Sequence, residues 1–215
     1  MSLPSNTPRL LKGGLVLLDP DTSAVQRIIG LQYNADTLSR TLAPKSLKES
    51  GDRSEALRLT GPAVETIKIE AEIDATDQME AGDAQTAQLG IHPQLAVLEM
   101  LVHPSTAHLN SNNSLARSGV LEIIPMQTPL TLFIWSANRI MPVRVTDFSI
   151  TEEAFDPALN PIRAKVSLGL RALSVDDLGF DNKGGSLFMS YLQQKERFAG
   201  RNVAGTFANL GIGGV

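Results

Sequence analysis

The sequence predicts a mainly β protein: a β-sandwich or open barrel of about seven strands, with one central helix and a C-terminal helical extension. Two long stretches carry this prediction, Glu65–Ile73 and Ile162–Ala172, because apolar residues recur in them at every second position. A period of two is typical of a strand with one buried face. The 12 prolines and 17 glycines are spread widely, which suits a chain with many turns.

Shorter apolar runs predict further strands at Gly14–Leu18, Arg27–Tyr33, Leu38–Leu42, Leu121–Ile124 and Leu130–Trp135. Met141–Thr151 also alternates, but its phase slips by one residue near Thr146–Asp147. One extra residue at that point would return the apolar side chains to a single face, so a β-bulge is predicted there. The turn-rich segment Asp156–Pro161 then joins this strand to Ile162–Ala172, which predicts a long antiparallel hairpin.

Two segments are predicted to be helices. Pro93–His103 places apolar residues at helical spacing and begins with a proline, which suits a first helical turn. Ser186–Phe198 is amphipathic, with Ser186 as its predicted N-cap. The polar segments Asp74–Gly90 and Ser105–Gly119 are predicted to be mobile loops because they contain few large apolar residues.

The length of 215 residues suits one domain with an appendage. Residues 1–175 are expected to form the β-barrel or β-sandwich domain, and residues 176–215 a helical extension with a flexible tail. A hydrophobic share of 42% and a charged share of 20% are ordinary for a soluble globular protein.

Charge and cysteine content exclude several classes of protein. The net charge of −4 and the scattered basic residues argue against binding to nucleic acid or to an anionic membrane surface. The absence of cysteine excludes disulfides, thiolate zinc sites and cysteine nucleophiles. Because no segment approaches the ~18 apolar residues of a membrane span, and Met1–Leu11 lacks the apolar stretch of a secretory signal, assembly in the cytoplasm is expected.

No residue pattern predicts catalysis, a cofactor or a metal site, so the protein is not expected to be an enzyme. The histidines, none of them three or four residues from another, are His92, His103 and His108. Glu152 and Glu153 are adjacent in a predicted strand and would point to opposite faces. The acidic segment Asp74–Asp83 does not have the spacing of a calcium loop.

An ordered series of short motifs runs from residue 13 to residue 173. It includes the aromatic–Asn turn Tyr33-Asn34, the alternating strand that follows Gly61-Pro62, and the strand end Phe133-Ile134-Trp135-Ser136. The series closes with Asn160-Pro161-Ile162-Arg163-Ala164, a Pro-x-Arg-Ala step into the last long strand. In this order the motifs resemble those of the tube-like domain of contractile injection systems, phage-tail-like particles that drive an inner tube out of a contracting sheath.

The resemblance implies that the β-sandwich or open barrel of residues 1–175 is tube-protein-like. It also implies a structural subunit, nearest to the baseplate hub or tube-initiator subunit that joins the spike hub to the inner tube as a hexameric ring. That subunit often carries a LysM domain, and no LysM pattern follows Leu173 here. The implied partners are copies of the chain itself and the spike hub, tube and baseplate wedge proteins of a particle that can be released. The alternatives are an inner tube or tube-end cap subunit and, in a different class, a β-barrel that binds a small ligand.

Assembly of this kind predicts two sets of interface residues. Polar side chains of the alternating strands would set the register between copies or line a wet lumen. An ordinary solvated face of the sheet explains these side chains equally well. The residues of this set are Lys68, Glu70, Glu72, Arg163 and Lys165. Side chains of the terminal helix would clamp a neighbouring ring or wedge, or else cover the chain's own core; they are Leu187, Phe188, Tyr191 and Leu192. Neither nucleic acid nor direct membrane insertion is expected.

Overall fold

A computed structural model describes residues 11–46, 58–119, 128–202 and 205–214. The strands in these ranges are β1 Gly14–Leu18, β2 Val25–Gly30, β3 Leu38–Ser46, β4 Leu59–Asp74, β5 Leu130–Ser136, β6 Arg139–Phe155 and β7 Pro161–Ala172. All seven form one antiparallel sheet in the order β2-β1-β5-β6-β7-β4-β3. The predicted mainly β architecture is confirmed: within the described residues, the strands form a single open sheet that does not close into a barrel. The predicted strand Leu121–Ile124 lies outside the described residues.

The long alternating strands pair as their sequence pattern predicts. Ile67 of β4 lies opposite Leu170 of β7, so the apolar residues of both strands share one face of the sheet. The β6–β7 hairpin is also confirmed, and its register shifts between Val145 and Asp147. Because of this bulge, Val145 and Phe148 both lie opposite inward-facing residues of β7, and the apolar face continues along β6.

Strand β2 ends at Gly30, three residues before the end of the predicted strand Arg27–Tyr33, and the residues that follow bond to the segment that precedes β1. The Leu31 amide donates to the Gly13 carbonyl at 2.9 Å. The Asn34 side chain accepts from the Gly13 amide at 2.8 Å and donates to the Leu11 carbonyl at 2.8 Å. The Leu31 bond continues the register that places Gly14 opposite Gly30, and the Asn34 side chain then takes the backbone groups of Gly13 and Leu11 at the aromatic–Asn turn.

The prediction of mobile loops on either side of the central helix is wrong. The helices of this region are α1 Thr76–Glu80, α2 Ala84–Leu89, α3 His92–Glu99 and α4 Thr106–Arg117. Capping explains two of the unpredicted helices: Asp83 accepts from the Thr86 amide at 2.8 Å, and Ser105 accepts from the His108 amide at 3.3 Å. No residue of α4 is buried, and its two large apolar residues, Leu109 and Leu115, are not at the spacing of three or four residues that would have indicated a helix.

The core lies between the apolar face of the sheet and two helices. Strand residues that are fully buried include Ile67, Phe133 and Leu168. Helix α3 adds Leu95 and Leu98 to the same cluster. The second helix, α6, spans Lys183–Ala199 and follows the short helix α5, Val175–Leu178.

Helix α6 begins three residues earlier than predicted, since its N-cap is Asn182 and not Ser186. The Asn182 side chain accepts from the Gly184 amide at 2.8 Å. Gly184 and Gly185 therefore lie inside the first turn, where both are buried. A Cβ at Gly185 would collide with the backbone carbonyl of Gly179, so glycine allows α6 to pack against the end of α5.

Candidate assembly surfaces and a buried ion cluster

The predicted polar interface residues of β4 and β7 form one charged strip on the sheet face opposite the core. All five are exposed: Lys68, Glu70, Glu72, Arg163 and Lys165. The register places Glu72 opposite Lys165 and Asp74 opposite Arg163. The structure thus brings this predicted set together, and its role as an interface stays a prediction.

Charges of both signs alternate across this strip. Arg163 Nε lies 2.7 Å from Asp74 Oδ2, and Lys165 Nζ lies 2.8 Å from Glu153 Oε1. The hydrogen bond that Lys165 donates to Glu153 raises the pKa of Lys165, and the one that Arg163 donates to Asp74 raises the pKa of Arg163. Exposed pairs of this kind contribute little to stability. A fixed pattern of charge could instead select the register of a partner.

The predicted interface residues of α6 are divided between core and surface. Phe188 and Tyr191 are each 5% exposed, and Tyr191 belongs to the main core cluster. Leu187 and Leu192 are half-buried, so part of each side chain stays accessible. Two roles were predicted for this helix: clamping a neighbour or covering the chain's own core. The burial of Phe188 and Tyr191 matches the second role for these two side chains. Whether the accessible part of the helix also contacts a neighbour stays a prediction.

A buried carboxylate that the sequence analysis missed attaches α6 to the sheet. The Glu65 side chain on β4 is 4% exposed and accepts hydrogen bonds from three side chains. Arg40 of β3 donates from Nε to Oε1 at 2.6 Å, and Lys195 of α6 donates from Nζ to Oε2 at 2.8 Å. The Tyr191 hydroxyl donates to Oε1 at 3.1 Å and accepts from Arg40 Nη2 at 3.0 Å.

The two basic side chains keep Glu65 ionised despite its burial. Burial alone would raise the pKa of Glu65, but the hydrogen bonds and charges of Arg40 and Lys195 outweigh it, and the pKa is lowered. Burial also raises the pKa of the Tyr191 hydroxyl, which stays protonated and able to donate. Lys195 Nζ lies 4.2 Å from the centre of the Tyr191 ring, a cation–π contact within the same cluster.

One signal in the sequence could have identified this cluster. Glu65 has the same strand parity as Ile67 and Ile69, so the alternation places a carboxylate on the apolar face. A charge at such a position needs a partner, since an unpaired buried carboxylate is costly. The partners are distant in sequence, and only the tertiary structure identifies them as Arg40 and Lys195.

The lowered pKa of Glu65 predicts that the attachment of α6 weakens in acid. A carboxylate whose pKa is lower in the folded than in the unfolded chain contributes its full stabilisation above the unfolded value, 4.5. That contribution is lost as the pH falls through the lowered pKa. We expect the free energy of unfolding to fall more steeply below about pH 4.5 in the native chain than in Glu65→Gln. Urea denaturation of both chains at a series of pH values measures this difference. Free energies of unfolding that fall in parallel for the two chains would contradict the prediction.

The two edges of the sheet are a further candidate surface. Strands β2 and β3 each pair with one strand only within the described residues. Both edges expose aliphatic side chains, with Ile28 of β2 72% exposed and Leu42 of β3 50% exposed. An edge strand with free backbone groups and apolar side chains is able to pair with another chain.

An apolar groove of about 300 Å³ lies beside the β2 edge. It runs between β2, the end of β4 and helix α3, and residues from all three line it, among them Ile28, Ile73 and Val97. This groove is the feature most relevant to the alternative of a small-ligand protein. Because it opens next to Ile28, a partner that covers the edge strand would also reach the groove.

Within the described residues, no group of three or more His, Asp or Glu side chains is arranged to hold a metal ion. The three histidines lie at the start of α3, after α3 and in α4, and all are exposed. None of the helices in the described ranges is both long and apolar enough to cross a membrane.

No family model matches the sequence, and no curated protein gives a significant match. Solved structures of low similarity were found. A chain from the tail of an empty gene transfer agent (GTA) particle, refined helically with C6 symmetry, has a TM-score of 0.29 and 13% identity, over 75% of this chain and 90% of that one. A chain from the virion of a native GTA particle has a TM-score of 0.27 and 12% identity, over 74% and 90%. TM-scores this low do not establish a shared fold.

Proposed function

We propose that this chain is a structural subunit of a phage-tail-like contractile injection system and that it acts by assembly and not by catalysis. The observation that carries the proposal is the open sheet, whose edge strands β2 and β3 both present aliphatic side chains to solvent. Such edges favour unwanted aggregation unless another chain completes them. A closed ring of copies completes every edge without forming an open filament sideways.

Within such a particle, the proposed role is that of a baseplate hub or tube-initiator subunit that forms a hexameric ring between the spike hub and the inner tube. The motif series from residue 13 to residue 173 supports this role through its resemblance to the tube-like domain. The charged strip would then set the register between copies or face a wet lumen. An inner tube or tube-end cap subunit is the alternative, and copy number in purified particles separates them: six copies for a ring, hundreds for a tube.

Electron microscopy of the over-expressed chain, alone and with its spike hub and tube partners, tests the proposal. We expect sixfold rings. A substitution at the edge strand sharpens the test: Ile28→Lys adds a charge to an exposed edge position and should prevent strand pairing between copies. Because the side chain is exposed, the free energy of unfolding should change by less than about 0.5 kcal/mol.

Leu109→Lys is the matched control, since Leu109 is also an exposed aliphatic residue but lies on α4, outside the sheet. Rings should persist in this variant. A chain that stays monomeric beside all its partners, or Ile28→Lys rings identical to those of the native chain, would contradict the role of the β2 edge.

A second function, binding of a small apolar ligand, is favoured only by the groove beside β2. Its volume of about 300 Å³ is at the lower limit of typical ligand sites. A panel of apolar ligands tested by thermal unfolding would reveal such a function as a concentration-dependent rise in Tm. A rise that Val97→Lys abolishes would support it, because Val97 lines the groove.

A further inference from the structure

A second cleft, of about 190 Å³, lies where α6 passes the turn between β5 and β6. Its lining differs from that of the apolar groove because three of the side chains are cationic: Arg40, Arg139 and Lys195. Asn138 and Phe198 add an amide and an aromatic ring. The cleft therefore combines positive charge, hydrogen-bond donors and one apolar wall.

Among the described residues that line this cleft, three are cationic and none is acidic. Glu65 is the carboxylate paired with Arg40 and Lys195, and it is almost fully buried beneath them. Arg139 takes part in no ion pair among the residues that the structure describes. Three cations and one anion leave a net charge of about +2, and a partly desolvated cluster of this sign favours an anion.

The cleft also contains hydrogen-bond donors that are able to bind a further acceptor. The Asn138 side-chain oxygen accepts from Gln194 Nε2 at 2.7 Å, which leaves the amide NH₂ of Asn138 available. Arg139 is half-buried and has five N–H donors in a planar fork, the arrangement that matches two oxygens of a carboxylate or phosphate. Lys195 uses one of its three ammonium donors on Glu65.

We propose that this cleft is a binding site for an oxyanion, a carboxylate or a phosphate, held by Arg139, Lys195 and the Asn138 amide. Two sources have this chemistry: an acidic side chain of a neighbouring polypeptide and a free phosphate ion. The chain itself is rich in carboxylates between residues 69 and 116, a segment without Lys or Arg. A second copy could therefore supply the acid. The site does not depend on the proposed function, because it stands on the lining of the cleft.

NMR titration of the full chain tests the site, with sodium succinate and sodium phosphate as probes at constant ionic strength against sodium chloride. We expect saturable shifts at the Asn138 side-chain amide and the Arg139 Nε–H. Arg139→Gln should weaken binding about tenfold, the loss expected for one charge-assisted hydrogen bond. Arg144→Gln is the matched control, since Arg144 is an exposed arginine on the same strand outside the cleft.

Tighter binding of succinate would assign the carboxylate source, and tighter binding of phosphate would assign the free ion; both support the site. Shifts that grow linearly with every salt, or an equal effect of Arg144→Gln, would overturn it. If Arg139→Gln does not fold, Asn138→Ala replaces it and should also weaken binding, since it removes one donor while every cation stays in place.

Discussion

Replacing Glu65 with glutamine is expected to lower the free energy of unfolding by about 3 kcal/mol. The variant keeps a hydrogen-bond acceptor but removes the carboxylate that, among the described residues, forms the ion pairs with Arg40 and Lys195. Removing one partner of a buried ion pair typically costs about 3–5 kcal/mol. The lower end of this range applies because the side chains of Arg40 and Lys195 are 26% and 33% exposed and therefore stay partly hydrated.

Urea denaturation measures this loss, with Glu70→Gln as the matched control. Glu70 lies on the same strand, but it faces solvent on the opposite side of the sheet. Its replacement should change the free energy of unfolding by less than about 0.5 kcal/mol. Equal effects of the two substitutions would mean that the Glu65 cluster does not stabilise the attachment of α6.

Substitution of Gly90 by alanine should destabilise the fold by about 3 kcal/mol, from two additive causes. Gly90 ends α2 with φ 54° and ψ −136°, a conformation that is nearly exclusive to glycine. An added Cβ would also collide with the Pro161 carbonyl, which accepts the Ile91 amide at 2.8 Å. The collision would push α3 away from the start of β7, where Ile91 is fully buried.

Gly82→Ala separates the two causes. Gly82 also has a positive φ, 72°, but nothing lies within 4 Å of the position that its Cβ would take. This control should cost about 1 kcal/mol, the typical strain of a non-glycine residue in the left-handed region. Thermal and urea unfolding of both variants provide the measurement. If Gly90→Ala lowers the free energy of unfolding no more than Gly82→Ala does, the backbone collision is ruled out as a cause.

The strands were predictable because their signal is local. Each apolar residue in Ile162–Ala172 indicates the same face as the residue two positions away, so the pattern needs no knowledge of the partner strand. The bulge at Thr146 was predictable for the same reason, since a slip in phase is visible within one segment. The helices α1, α2 and α4 were not predictable, because their sequences are polar: of all their residues, Thr86 alone is buried, so no apolar stripe indicates a helical period.

The buried cluster shows why the rest was not predictable. Tyr191 lies 126 residues from Glu65 in the chain, and Lys195 lies 130 residues away. Alternation indicates that Glu65 faces inward, but no local pattern says which cation meets it. The cationic cleft was hidden in the same way, because Arg139 and Lys195 come together only when α6 packs beside the β5–β6 turn.

The sequence by itself determined which faces of the long strands are apolar, where the main hairpin turns and which kinds of cysteine chemistry are excluded. Only the tertiary structure decided the strand order, the two open edges, the buried partners of Glu65 and the surplus of positive charge beside α6. The physical reason is range: side-chain alternation is imposed by neighbouring residues along a strand, whereas edges, ion clusters and clefts arise from segments that meet after the chain has folded.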